Sequence, residues 1–436
     1  MMNARRLINA SLLVGVFFGL DKIAGLGRQV LVAKHFGLDP VLDAYNTANN
    51  LPDLLFALIS GGALAMAFIP VLTETLDREG RAGAWELFSL VANLALVITA
   101  ALAALIALFP LALVQAVIAP GFSPPQQRLV ADLMRLNLVA TLIFSLSGLV
   151  MGALQANQHF LLPAVAPLLY NGGQIAGVIL LGPRLGVHGL AYGVILGAAL
   201  HLTVQVPGLV RYGFRWTPRL TLAHAGVRRV ARLMGPRILT LALLNLIFIA
   251  NDNLASRLGA GAVSALAYGW LILQLPETVI GTAAGTALLP TLSELAARGD
   301  RAGLKRLLWR ALGLLLLLTL PAALAGLALV RPAVKLVFEG RAFTAADSEH
   351  VVFAARMFLL GLSGHSLVEV AARTFYAHKD ALTPLFMAAL TLGLYVALGL
   401  ALAPRLGFAG LALANSLAFT AEALIMLVIL RRRDIL

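Results

Sequence analysis

Long apolar segments recur along almost the whole sequence, with short polar connections between them. A helix needs roughly 20 mostly apolar residues to cross the hydrocarbon core of a bilayer. Segments of this kind are 8–33, 44–73, 86–119, 127–156, 160–182, 185–210, 232–256, 262–294, 307–330, 347–376, 381–403 and 406–430. The pattern therefore predicts an all-α polytopic membrane protein with about twelve transmembrane helices.

The composition excludes a large soluble domain, because 60% of the residues are hydrophobic and only 12% are charged. A soluble protein of this length needs a larger charged surface. The chain has no cysteine, so disulfides and thiolate metal sites are excluded, and its eight histidines form no ligand-spaced cluster. The sequence therefore predicts neither a metal site nor a cofactor.

Positive charge is distributed unevenly between alternate connections. Lys and Arg number 33 against 20 Asp and Glu, a net charge of +13. With the N-terminus inside, 21 of these cations fall in cytoplasmic connections and 8 in outer ones. Cytoplasmic loops of membrane proteins carry such an excess, so we expect both termini to be cytoplasmic and no nucleic-acid partner.

Internal repeats divide the chain into two similar halves. The sequence PRLGVHGLA begins at Pro183, and PRLGFAGLA begins at Pro404. We call the separation between these two prolines the repeat offset. The motif GALAMAFIPVLTE, which begins at Gly62, matches GTAAGTALLPTLSE in the second half at nearly the same offset. Several matches at one offset are typical of a duplicated unit.

Six helices per half would place both copies in the membrane with the same direction. We therefore predict an N-lobe of helices 1–6 over residues 1–215 and a C-lobe of helices 7–12 over residues 216–436. A pseudo-twofold axis along the membrane normal would relate the lobes, with a cavity between them, which is a transporter architecture.

Ionisable side chains inside spanning helices are costly and usually face a cavity or a partner. The first two predicted helices carry several, and the candidate substrate-binding residues are Lys22, Arg28, Asp43, Asn46, Asn50 and Asp53. Two interpretations stay open. Asp21–Lys22 and Arg28–Asp53 are structural pairs in one. In the other, Lys22 and Arg28 line a cavity for a phosphate-bearing substrate.

The second half carries a different set of polar residues in its predicted helices. Asp252, Glu277, Asn415 and Glu422 are candidates for binding a coupling ion or for gating, because oxygen-rich groups hold Na⁺ or relay a proton. A helix cap before Arg257 is an equal alternative for Asp252. Glu369 and Arg373, four residues apart, are expected to form a salt bridge along one helix.

Four segments carry a family resemblance, namely GLGRQVLVAKHFG (25–37), the run from Leu42 to Glu74, LQANQHFLLPAVAPLLYN (154–171) and the run from Asn251 to Glu294. They resemble the MurJ/MviN family of the multidrug/oligosaccharidyl-lipid/polysaccharide exporter superfamily. The resemblance keeps the order of the segments and covers essentially the whole chain.

This resemblance implies a lipid II flippase that works by alternating access in the bacterial inner membrane. It implies a polyprenyl-pyrophosphate-linked saccharide as substrate, with its pyrophosphate in a cationic central cavity. Membrane lipids and the cell-envelope synthesis machinery are the implied partners. Resetting by Na⁺, H⁺ or the membrane potential is also implied. By position, Lys22 and Arg28 match two basic residues of the family's first helix, and Asp43 matches the acidic residue that opens its second.

The sequence departs from the family at three basic positions, where it has Phe56, Ala57 and Leu271, and it has twelve predicted helices where the family commonly has fourteen. An ion-coupled exporter of drugs or other amphiphiles and a transport-inactive envelope-complex paralogue therefore remain alternatives. A membrane enzyme would need a cluster of carboxylates in a sizeable loop. No loop supplies one, so we expect a protein that is not an enzyme.

Overall fold

A computed structural model describes residues 4–61 and 63–436, and these are almost entirely helical. Gly62, where the first copy of one repeat motif begins, lies outside the described residues. The side chains of Arg5, Arg6 and Arg237, which the charge count includes, also lie outside them. The predicted all-α class agrees with this structure.

The described part of the N-terminal half contains ten helices. They are α1 (Ala4–Phe36), α2 (Pro40–Ala48), α3 (Asn50–Leu55), α4 (Ala63–Leu108), α5 (Pro110–Leu113), α6 (Pro124–Ala156), α7 (Leu161–Ala176), α8 (Gly182–Leu185), α9 (Val187–Thr203) and α10 (Val206–Arg211). Three π-helical segments interrupt them, namely Phe56–Gly61, Val114–Ile118 and Gly177–Leu181.

The C-terminal half contains eight helices and one π-helical segment, Thr278–Thr282, in its described residues. The helices are α11 (Ala225–Ala255), α12 (Ala262–Glu277), α13 (Ala283–Arg298), α14 (Arg301–Phe338), α15 (Ala345–Leu359), α16 (Leu362–Ala377), α17 (Leu382–Leu406) and α18 (Phe408–Arg432). The segment 347–376, predicted as one helix, is α15 and α16, which meet at a bend of 45°.

Within the described residues, nine helices are long and apolar enough to cross a membrane, or ten if the bent pair α15 and α16 is one span. The difference from twelve predicted segments falls in the region that ends at Leu108. There α4 is kinked at Gly80, whose φ of 70° and ψ of −169° are not helical, and this kink lies between the second and the third predicted segments. Glycine adopts this conformation at no steric cost.

The chain forms two compact units. The N-terminal unit comprises residues 1–35, 47–117 and 123–245, and the C-terminal unit comprises 36–46, 118–122 and 246–436. In the N-terminal unit α6 packs against both α4 and α9, and in the C-terminal unit α18 packs against α15, α16 and α17. The lobe boundary at residue 215 and the symmetry axis stay predictions.

Unusual backbone angles recur at the repeat offset. Gly186 (φ 56°, ψ −135°) and Gly407 (φ 58°, ψ −144°) are separated by this offset, and each precedes a long helix. Gln158 (φ 58°) and Lys379 (φ 61°) have the same separation. Non-glycine residues rarely adopt positive φ. The two halves therefore share local geometry as well as sequence.

Candidate functional site

Two cations on α1 have different surroundings in the N-terminal unit. Arg28 is half-buried, and its Nη1 donates a hydrogen bond of 2.7 Å to Oε1 of Gln174 on α7. Lys22 is exposed, with its Nζ 5.2 Å from the centre of the Phe18 ring. Among the described residues, Lys22 makes no salt bridge with a carboxylate. Its charge is therefore available to an anion.

Asp21 is engaged by an amide and not by its neighbour Lys22. The Nδ2 of Asn171, on α7, donates a hydrogen bond of 2.8 Å to Oδ1 of Asp21. The sequence suggested Asp21–Lys22 as a structural pair. In the structure Asp21 instead contacts Asn171, so the contact joins α1 to α7. Asn171 and Gln174 lie on one side of α7, three residues apart, so this single helix contacts both Asp21 and Arg28 of α1.

The chain breaks its helical pattern where α2 ends and α3 begins. Oδ1 of Asn49 accepts a hydrogen bond of 2.9 Å from Nδ2 of Asn137 on α6, and Pro52 and the π-helical segment follow. Asp53 is exposed at this break. In the described structure Arg28 bonds to Gln174 and forms no ion pair with Asp53. Asn50 is half-buried beside this break.

Two buried polar atoms in this region have no hydrogen-bond partner within the described structure. They are Nε2 of Gln174 and Oδ1 of Asn137. Buried polar atoms are nearly always hydrogen-bonded, so unpaired ones mark strain or a place for water or a ligand. The α1 region therefore combines two cations, one exposed carboxylate and unsatisfied amide groups.

Asp43 and Asn46 belong to the C-terminal unit, where they hold the start of α12. The carboxylate of Asp43 is fully buried and accepts hydrogen bonds from the backbone N–H groups of Gly261 (2.6 Å) and Ser264 (2.8 Å). Nδ2 of Asn46 donates to Oγ of Ser264 at 3.1 Å. Free N–H groups at a helix start need such acceptors. This geometry gives both residues a structural task.

A second polar network in the C-terminal unit surrounds Asp252, which is 8% exposed. Oη of Tyr395 donates to Oδ1 of Asn251 at 2.8 Å, and Nδ2 of Asn251 donates to Oδ1 of Asp252 at 3.1 Å. Arg257 contacts Asn253 instead of Asp252, and α11 continues to Ala255. The geometry thus places Asp252 inside a side-chain network rather than at a helix cap.

Glu277 lies where α12 gives way to its π-helical segment. Oγ1 of Thr282 lies 3.1 and 3.2 Å from the two carboxylate oxygens of Glu277. Nearby, Nη1 of Arg373 donates to the carboxylate of Glu369, four residues earlier on α16, so that predicted salt bridge is present. Nη2 of Arg373 also reaches Oγ1 of Thr286 at 3.3 Å.

Asn415 and Glu422 contact two residues that sequence reasoning missed. Oδ1 of Asn415 lies 3.0 Å from Nε2 of His365, whose ring stacks on Phe419 at 4.0 Å. Oγ1 of Thr391 donates to Oε2 of Glu422 at 2.9 Å, and Glu422 is 6% exposed. The repeat carried a signal for His365, since Phe144, which lies one repeat offset earlier, is also aromatic.

Comparison with known proteins agrees with the resemblance found in the sequence. The family model described as "Lipid II flippase MurJ" matches residues 32–436. Lipid II flippase MurJ of Burkholderia cenocepacia is 33% identical over 439 residues, which cover 98% of this chain and 84% of that protein. The probable lipid II flippase MurJ of Rhizobium meliloti is 30% identical over 426 residues, covering 93% and 77%.

Solved structures have the same fold. A lipid II flippase MurJ in an inward closed conformation matches with a TM-score of 0.83 and 24% identity, covering 97% of this chain and 89% of that one. An inward-facing multidrug resistance transporter of the MATE family matches with a TM-score of 0.79 and 15% identity, covering 95% and 94%. The prediction of an all-α polytopic membrane fold is confirmed.

Proposed function

Since the chain belongs to the MurJ family of lipid II flippases, we propose that it carries lipid II from the cytoplasmic to the outer leaflet of the bacterial inner membrane. The protein is a multi-pass membrane transporter and not an enzyme. Moving this precursor would serve peptidoglycan biosynthesis, and hence cell-wall biogenesis and cell shape. Alternating access between the two lobes, with both termini in the cytoplasm, is the proposed mechanism.

The available cations of α1 are the observation that supports lipid II as substrate. Among the described residues, Lys22 makes no salt bridge with a carboxylate, and Arg28 is held by a neutral amide. A guanidinium and an ammonium group that are not neutralised internally are suited to a pyrophosphate. The proposed substrate site comprises Lys22 and Arg28 with Asn50 and Asp53. Asp43, which caps α12, and Asn46, which donates to the hydroxyl of Ser264, are not included in the proposed site.

Replacement of Lys22 or Arg28 by alanine tests this site. Each change removes a charge-assisted contact, so we expect transport to fall about 10- to 100-fold. The measurement is the fraction of lipid II reaching the outer leaflet in cells that depend on this chain after depletion of their own flippase. Arg135→Ala is the matched control, because Arg135 is an exposed arginine already paired with Asp132 at 3.0 Å.

If the wild-type chain does not bring lipid II to the outer leaflet in cells depleted of their own flippase, the substrate assignment is contradicted. That result would favour the exporter of other amphiphiles, for which the Phe56 ring, 5.4 Å from the Phe144 ring, provides an apolar surface. Unchanged transport in both cation variants, with normal expression, would contradict the site alone.

We further propose that the C-terminal unit holds the coupling or gating groups Asp252, Glu277, Asn415 and Glu422. Glu422 supports this best, since a carboxylate so buried in a membrane helix is costly and marks a proton or ion pathway. Glu422→Gln keeps the shape but removes the exchangeable charge. We expect transport that no longer responds to a collapsed ion gradient and is about tenfold slower. Glu294→Gln is the control, since Glu294 is exposed and paired with Arg298. A Glu422→Gln chain with wild-type gradient dependence would contradict this role.

A further inference from the structure

A separate cavity of about 330 Å³ lies along α15 in the C-terminal unit. Its lining is Glu349, His350, Val352, Phe353 and Arg356. Glu349, Phe353 and Arg356 are four and three residues apart in sequence, so they share one face of the helix. This cavity contains none of the residues that the proposed function uses.

Arg356 is the one member of this lining whose charge is not balanced. Glu349 is neutralised by Arg331 of α14, with Nη2 of Arg331 2.7 Å from its Oε1. The Arg356 guanidinium, by contrast, has no hydrogen-bond or ion-pair partner in the part of the chain that the structure describes. Arg356 is half-buried and lies two turns, about 10 Å, further along α15 than Glu349. Charged side chains within membrane helices usually face a cavity or pair with another group, and Arg356 lines this cavity.

The repeat supplies an internal comparison for this arginine. Arg135 on α6 precedes Arg356 by the repeat offset. Nη1 of Arg135 donates to Oδ1 of Asp132 at 3.0 Å, and its Nε donates to the carbonyl oxygen of Ala107 at 3.2 Å. Phe353 occupies the position that matches Asp132. The C-terminal half therefore has the cation at this position but a phenyl ring in place of its carboxylate partner.

Phe353, at the position that matches Asp132, makes the cavity amphipathic. Phe353 is 41% exposed, which gives the cavity an apolar wall beside the guanidinium. His350 is exposed, with its ring 5.4 Å from that of Phe408, and its imidazole nitrogens offer a second hydrogen-bonding group. A cation beside an exposed apolar wall on a membrane helix fits a ligand with a phosphate group and an acyl or prenyl chain.

We propose that Arg356, with His350, binds the phosphate group of a lipid against the apolar wall formed by Phe353. The site is distinct from the cations of α1 and lies toward the face that the charge count predicts to be the outer one. Two lipids carry this chemistry there, namely a translocated lipid pyrophosphate and an anionic phospholipid of the bilayer.

Binding of defined lipids to the purified full chain tests the proposal. The probes are phosphatidylglycerol, lipid II and inorganic phosphate, each titrated and measured by native mass spectrometry. Arg356→Gln should weaken binding of a phosphate lipid about tenfold, whereas Arg135→Gln should leave it unchanged. Phe353→Asp recreates the spacing of Asp132 and Arg135, so it should weaken binding to a similar extent by occupying the guanidinium.

The outcomes separate the lipid sources. Weakened binding of lipid II alone identifies the translocated substrate, and weakened binding of phosphatidylglycerol identifies a membrane phospholipid. Lipid binding by Arg356→Gln equal to that of the wild type overturns the proposal, as does a site that takes inorganic phosphate and neither lipid. The proposal adds a lipid site to the proposed function, and because the readout is binding, a failure of lipid II transport leaves the phosphatidylglycerol arm intact.

Discussion

Each half has a contact between the same two repeat positions, but the side chains that form it differ in chemistry. In the N-terminal half, Oη of Tyr212 lies 3.5 Å from Nδ1 of His159. In the C-terminal half, the residues one repeat offset later are Arg433 and Asp380, and Nη1 of Arg433 lies 2.6 Å from Oδ2 of Asp380. The repeat has thus preserved which positions touch, while a neutral pair in one half corresponds to an ion pair in the other.

The same exchange occurs inside the helices. Arg28 on the first helix contacts Gln174, whereas Tyr395, one repeat offset after Gln174, contacts Asn251 on α11. His201, whose Nδ1 lies 2.6 Å from Oγ of Ser147, is matched at the same offset by Glu422. The cations of α1 lie in the N-terminal unit, whereas the buried carboxylates Asp43, Asp252 and Glu422 lie in the C-terminal unit. This difference teaches that a duplicated scaffold can carry different charges at matching positions, as the proposed division between substrate binding and coupling requires.

Replacement of Asp43 tests whether this buried carboxylate of the C-terminal unit serves stability or transport. Of the changes considered, it should cause the largest loss of free energy of unfolding. Asp43→Ala leaves two buried backbone N–H groups at the start of α12 without acceptors. Each costs roughly 1–3 kcal/mol, so we expect a loss of about 3 kcal/mol of stability, measured by chemical unfolding in detergent. Asp39→Ala is the control, since Asp39 is an exposed cap of α2 worth about 1 kcal/mol. A fully stable Asp43→Ala chain with defective transport would instead place Asp43 in the substrate site.

The Gln174 and Tyr395 pair sharpens the comparison between the two units. Gln174→Leu removes the acceptor that orients Arg28, so we expect lipid II transport to fall about tenfold while the protein remains folded. Tyr395→Phe removes the matching contact in the C-terminal unit and should lower transport about twofold at most. A larger loss in Tyr395→Phe than in Gln174→Leu would reverse the assignment of anion binding to the N-terminal unit.

The pH dependence of stability should distinguish the Arg433–Asp380 contact from the Tyr212–His159 contact. This is the smallest of the expected effects. Desolvation acts to raise the pKa of Asp380, but hydrogen bonds from Thr383 and Arg433 outweigh it and lower that pKa to about 2 from its ordinary 3.8. Its contribution is therefore present above pH 3.8 and is lost as the pH falls toward 2. We expect about 1 kcal/mol after solvent screening, read as the difference in melting between wild type and Asp380→Asn.

His159 titrates in another range. Burial, and then the charge of Arg211, lower the pKa of its imidazole below the ordinary 6.5. Its contribution is present above pH 6.5 and is lost as the pH falls below that value. The difference between wild type and His159→Gln should therefore change below neutral pH, in a range where the difference for Asp380→Asn stays constant. Identical pH profiles for the two variants would contradict distinct chemistry at the two ends.

The sequence predicted those parts of the fold that depend on the length of apolar segments and on the internal repeat. The long segments predicted the helices, and the two PRLG motifs predicted the repeat. The π-helical segments after Leu55 and Glu277 could not be predicted, since an extra residue in a helical turn leaves no periodic signal. The division between the second and the third predicted segments agrees with the kink at Gly80, since glycine is typical of such breaks.

The candidate site was predicted in part. Lys22, Arg28 and Glu422 stand out as charges within apolar segments, and the Glu369–Arg373 spacing correctly indicated a salt bridge. Their actual neighbours depend on which helix faces meet in space. Gln174, Asn171 and His365 therefore escaped notice, and the sequence did not show that Asp43 caps α12.

Reconstitution of the purified chain into liposomes that contain lipid II on one side tests the central assignment most directly. The quantity measured is the rate at which lipid II becomes accessible on the opposite side under an imposed ion gradient. We predict rapid exposure with the wild type and with Arg135→Ala, and exposure about 10- to 100-fold slower with Arg28→Ala. Equal rates with wild type, Arg28→Ala and protein-free liposomes would contradict the account.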